Sequence, residues 1–141
     1  MTNHTMLFFS PIVLILMLSC ATFQTLPSDY EGDMIEFGHG GGFAGIEYSH
    51  ILLDNGDVFK EQSNESYKPH KRLDDDAVTQ IFNNAKLLNL ASLEYMKPGN
   101  TYRFIEVRID GKSNRLSWND VGDSVPPTFA KFYRILKEHL E

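Results

Sequence analysis

The stretch Phe37-Gly38-His39-Gly40-Gly41-Gly42-Phe43-Ala44-Gly45-Ile46 holds five of the chain's ten glycines. Ordering so glycine-dense a segment is entropically costly. A folded domain tolerates it where the backbone takes φ > 0, or where another backbone or a partner comes close. Strand-like residues flank it, Met34-Ile35-Glu36-Phe37 before and residues 46–53 after. The stretch therefore reads as a glycine loop joining two strands.

Downstream, Asp54-Asn55-Gly56-Asp57 separates residues 46–53 from Val58-Phe59-Lys60-Glu61. Asn-Gly between apolar runs predicts a hairpin with a type I′ turn, which needs φ > 0 at both central residues. Residues 62–72 are polar and contain Pro69, and predict a loop. Its basic patch, Lys68-Pro69-His70-Lys71-Arg72, reads as solvated. Val78, Ile81, Phe82, Ala85 and Leu88 then recur with a helical period. Asp74-Asp75-Asp76 suits the N-cap and first turn of that helix, with Leu73 as a staple. A calcium loop would need spaced ligands and a distal glutamate, which this run lacks.

Residues 89–100 cross to the next strand through the turn Pro98-Gly99-Asn100. Residues 101–110 alternate, with Ile105, Val107 and Ile109 facing one way and Phe104, Glu106 and Arg108 the other. Asp110-Gly111 predicts a second tight turn. Residues 113–118 return with Leu116 and Trp118 on one face. Val125-Pro126-Pro127 opens a last helix with the stripe Phe129, Phe132, Tyr133, Leu136 and Leu140. Hairpins grouped before each helix predict an α+β fold: an antiparallel sheet of about four to five strands with two helices packed on one face.

The balance of 13 Lys+Arg against 19 Asp+Glu gives a formal charge of -6. Nucleic acid as a partner is thereby disfavoured, because phosphate binding needs clustered cations. Residues 6–18 are almost wholly apolar, too short to span a bilayer but right for a signal-peptide h-region. They lead into Met17-Leu18-Ser19-Cys20, which resembles the bacterial lipobox, with Met17 where leucine is usual. That resemblance implies lipidation of Cys20. The expected organisation is a lipoprotein signal peptide at 1–19, a lipidated cysteine and flexible tether at 20–33, and a globular domain at 34–141. Ala21, where aspartate would resemble an inner-membrane retention signal, points to the outer membrane facing the periplasm. As Cys20 is the chain's only cysteine, the domain is held by its core and not by disulfides.

Gly41-Gly42-Phe43-Ala44-Gly45, just after a first short strand, resembles the opening motif of the emfourin family. Those proteins are small α/β inhibitors of thermolysin-type metallopeptidases. The wider layout resembles small lipoproteins of Bacteroidetes-type bacteria. It rests on the glycine loop, Leu52-Leu53-Asp54-Asn55-Gly56-Asp57, Lys97-Pro98-Gly99-Asn100 before a strand, and Trp118 closing a hairpin. The resemblance implies a metallopeptidase as partner; the candidate binding residues Gly41, Gly42, Phe43, Ala44 and Gly45 come from the physical character of the loop itself. From the residues alone, Phe43 either points out as an aromatic anchor or turns in to plug the core. The inward packing is the preferred reading.

No hydrolase, P-loop or paired-cysteine motif is present in the sequence. His39 and His50 flank the glycine loop, but two ligands make a poor metal site. Trp118, Tyr102 and Phe104 suggest an aromatic platform, although packing of Trp118 under the last helix is the preferred reading. The expectation is a membrane-anchored, non-catalytic protein-binding module with no cofactor and no metal. The alternative is a structural or assembly lipoprotein of the envelope with no inhibitory activity.

Overall fold

Alternation of apolar and polar residues, read strand by strand, sorts this chain onto two faces of one sheet. The computed structural model describes residues 25–63, 66–122 and 125–141. The signal segment 1–19, Cys20 and the first part of the tether lie outside the described residues. Seven strands are described: β1 (Met34–Gly41), β2 (Ile46–Leu53), β3 (Asp57–Gln62), β4 (Lys68–Arg72), β5 (Met96–Lys97), β6 (Thr101–Ile109) and β7 (Lys112–Asn119). Helix α1 (Asp75–Leu87) lies between β4 and β5, and α2 (Pro127–Leu140) follows β7. The strand order is β4-β3-β2-β1-β6-β7-β5, so β1 is the central strand. Every pairing is antiparallel except β5 with β7, which makes the sheet mixed.

The α+β class with two helices stands, but the sheet has seven strands where four to five are expected. The two extra strands are its edges. β4 falls in the segment read as a loop. Its residues are mostly exposed, so no buried face imprints an alternation on the sequence. Pro69 is tolerated there because an edge strand has backbone groups to spare. β5 is only two residues long and carries no pattern at all.

One core joins both helices to one face of the sheet. Val78, Ile81, Phe82 and Ala85 of α1 and Phe129, Phe132, Tyr133, Leu136 and Leu140 of α2 are buried in it. They meet Ile35, Phe37, Leu52, Val58, Ile105, Val107, Ile109, Leu116 and Trp118. Asp74 caps α1, its Oδ1 accepting from the Ala77 amide at 2.9 Å. Trp118 is buried on the helix side, edge-on to Tyr133 at 5.5 Å. Tyr102 and Phe104 point to the opposite face, so no platform forms with Trp118.

The two turns differ. Asp110 and Gly111 have φ of 51° and 74° and form a two-residue connection of type I′ character. Between β2 and β3 only Gly56 has positive φ, at 94°, and its amide bonds Leu53 O at 2.9 Å. The expected type I′ turn at Asn55-Gly56 is thus replaced by a longer connection. Here Asn55 Oδ1 accepts from the Asp57 amide at 2.9 Å, an Asx contact that competes with the tight turn.

The end of the segment read as a tether packs on the domain. Pro27 is buried within a 3-10 turn (Pro27–Asp29). Tyr30, Met34 and Tyr67 pack against Ile51, Leu53 and Phe59 on the face without helices.

Gly38 and Gly40 belong to β1, not to a loop. A Cβ on Gly38 would stand 2.1 Å from Tyr48 O and 3.0 Å from the Phe104 ring. At Gly111 an added Cβ meets nothing within 4 Å, and only the positive φ opposes it. Gly38→Ala is expected to cost more than about 3 kcal/mol in urea denaturation, and Gly111→Ala about 1 kcal/mol. Equal losses would refute the close-approach account of Gly38.

Candidate functional site

The β1–β2 connection is built by glycine. Gly41, Gly42 and Gly45 have φ of 93°, 75° and 60°, which other residues rarely adopt. The Gly42 amide donates to Asn100 O at 2.7 Å, tying the base of the hairpin to the turn before β6. The Gly45 amide donates to Gly42 O at 3.2 Å and closes the tip. Beyond that closure Phe43 stands free, with a relative exposure of 111%. The preferred inward packing of Phe43 is therefore overturned. The core beneath is filled by Phe37 and Phe132 on one face, with Phe104 buried on the other, and the turn carries Phe43 away from both. Gly41, Gly42, Phe43, Ala44 and Gly45 thus form one contiguous tip, with Ala44 exposed beside Phe43.

Below the tip, the helix-free face carries a charged cluster that sequence reasoning missed. Arg115 of β7 is its centre. Its Nη2 donates to Glu47 Oε2 at 2.6 Å and its Nη1 to Glu106 Oε2 at 3.0 Å. Its guanidinium lies 3.7 Å from the Phe104 ring centroid, a cation–π contact. Tyr102 Oη donates to the same Glu47 Oε2 at 2.8 Å. Glu36, Gly45, Glu47, Ser49, Glu61, Ser63, Tyr102 and Arg115 line one shallow depression, to which the hairpin tip contributes Gly45. Burial first, then Glu106 and Glu61, push the Glu36 carboxyl up to about 7, against the Ser49 hydrogen bond and the Arg115 charge. Glu61 is raised too, by burial and by Glu47. Alternation does mark these residues as facing away from the apolar positions. Which of them meet depends on the registers Glu36↔Glu106 and Glu106↔Arg115, which no local pattern contains.

His39 and His50 do not converge; His50 instead meets His70 edge-on, with ring centroids 5.7 Å apart. His39 stacks on Tyr48 with centroids 5.6 Å apart, and His50 stacks on Phe37 at 5.5 Å. Each ring thus lies on its own cross-strand aromatic partner. Burial, then the nearby Lys60 and His70, push His50 down to about 4. Among the described residues no group of three or more His, Cys, Asp or Glu is arranged to hold a metal. None of their helices is long and apolar enough to cross a membrane. Cys20, the expected lipidation residue, lies outside the described residues.

The chain matches no protein-family model, and a search of curated proteins gives no match. The site's chemistry rests on its own geometry.

That geometry makes Arg115 the keystone of the cluster. Arg115→Ala is expected to cost about 1–2 kcal/mol of stability, by stranding Glu47 and Glu106 and baring Phe104. Arg115→Lys should recover less than half of it, since an ammonium cannot fork to two carboxylates while stacking. Chemical denaturation of both variants checks this, and full rescue by lysine contradicts it.

Proposed function

We propose that this chain is a lipid-tethered, non-catalytic module of the bacterial envelope that binds another protein through Phe43 and its flanking glycines. The observation that carries the proposal is the Phe43 ring, wholly outside the fold on a tip pinned at its base. A rigid exposed aromatic supplies contact area at little ordering cost, as interface anchors do. Glycines on both sides let a partner's backbone come close. The sheet edges suit binding less well. β4 carries Pro69 and four cationic or imidazole side chains, and β5 offers two residues, features that block strand addition.

Orientation supports the same reading. β1 begins where the N-terminal segment joins the domain and ends at the hairpin. Eight residues at about 3.3 Å each put the tip roughly 26 Å from that junction. A lipid on Cys20 would therefore hold the tip away from the bilayer. Stable anchoring needs more than one acyl chain. The proposed location is the periplasmic face of the outer membrane, by the presence of Ala21 after Cys20.

In its sharper form the partner is an exported thermolysin-type metallopeptidase, blocked by occlusion, as the emfourin-like motif Gly41-Gly42-Phe43-Ala44-Gly45 implies. Phe43→Ala is expected to leave stability within about 0.5 kcal/mol of wild type while weakening partner capture at least about 10-fold. Peptidase activity unchanged at micromolar protein rules out the inhibitor form. Capture from membranes that survives Phe43→Ala rules out the tip as the binding element. Cys20→Ala is expected to yield an unlipidated, soluble product, and mass spectrometry showing cleavage elsewhere would overturn the anchor.

A further inference from the structure

The two central strands set carboxylates against each other on the helix-free face. Glu36 of β1 and Glu106 of β6 are register partners. Like charges placed directly opposite repel. Arg115 forms its ion pairs with Glu106 and Glu47; toward Glu36 it makes none, and its charge only partly offsets the pull of Glu106 and Glu61. Arg108, on the same face of β6, is turned to Tyr30 O and Gly32 O. From β3, Glu61 adds a further negative charge; from β2, Ser49 offers only a hydroxyl. Tyr67 lies close enough to feel both Glu36 and Glu61. Among the described residues no lysine or arginine forms an ion pair with Glu36.

We propose that this face is a proton-operated switch: a proton on Glu36 lets β1 and β6 meet without the Glu36–Glu106 repulsion, and its loss sets a second negative charge opposite Glu106 between the central strands. The step is a plain acid dissociation, the proton passing to solvent. The switch operates whatever the hairpin tip binds. It does bear on any partner laid across the depression, which would meet a face one charge more negative after the proton leaves.

The sign follows from where the proton is held more tightly. In the unfolded chain Glu36 titrates near 4.5, and in the fold near 7. Between those values the folded state binds more protons, so stability falls as pH rises through that window and levels above it. His50 acts in the opposite sense. It titrates near 4 in the fold and 6.5 outside it, so its contribution falls as pH drops through that range. The wild-type curve mixes the two trends, and the difference from Glu36→Gln isolates the first.

The test compares melting of the wild-type protein and Glu36→Gln from pH 4.5 to 8.5. A second arm follows the Glu36 side-chain carboxyl of the wild type by carbon NMR. The two proteins are expected to melt together at pH 4.5. At pH 8 the Glu36→Gln variant should melt about 5 °C higher. The carboxyl resonance should titrate with a midpoint near neutrality. A pH-independent offset between the two melting curves, or a midpoint in the ordinary carboxylate range, would overturn the switch. Should Glu36→Gln fail to fold, the wild-type NMR titration alone decides.

Discussion

The middle of β1 has to be bare. Phe104 lies against Gly38 from the helix-free side, and Tyr102 lies against Gly40. From the other side Tyr133 of α2 donates a hydrogen bond to Gly38 O at 3.1 Å. A side chain at Gly38 would collide with the β2 backbone before it met either ring. This one constraint sets much of the rest. Phe104 is buried because Gly38 leaves room for it, and Arg115 stacks on the ring so placed. Glu47 and Glu106 are then gathered by the same guanidinium. The glycine content that looks like a loop in the sequence is half strand, and there it serves packing.

The two faces of the sheet are stabilised by different physics. The helix side buries a continuous apolar cluster, for which area removed from water is the main favourable term. Among the described residues the other side has a small cluster around Ile51, Leu53 and Phe59, sealed by Tyr30, Met34 and Tyr67, and the separately buried Phe104. The remainder of that face is polar, half-buried and over-supplied with carboxylates. A half-buried charge is costly unless it is paired, and Arg115 can satisfy only some of its neighbours. Glu36 and Glu61 are left without an ion pair among the described residues, and Glu36 is the one set directly opposite another carboxylate.

How much of this was legible depended on whether the signal was local. Both helices, the apolar stripes, the Asp74 cap and the Asp110-Gly111 turn follow from periods and turn chemistry within a few residues. β4 and β5 were not legible, because an exposed edge strand imposes no alternation and a two-residue strand has no period. Asn55-Gly56 misled because an Asx contact to Asp57 offered the backbone another arrangement. The orientation of Phe43 could not be read either, since nothing local says whether a four-residue turn lies over the core or beyond it. The Glu36, Glu106 and Arg115 constellation was closed to sequence for a further reason. β1 and β6 are far apart along the chain, and only their pairing brings these side chains onto one patch.

The hairpin tip follows β1 directly, and the N-terminal segment enters β1 at its other end. A tug on Phe43 against a fixed N-terminus therefore travels through the covalent backbone of a single strand. The ladders to β2 and β6 lie beside that path and not in series with it. Mechanically the rest of the sheet is a sleeve that keeps one strut straight, and force between the two ends would leave the core unstrained.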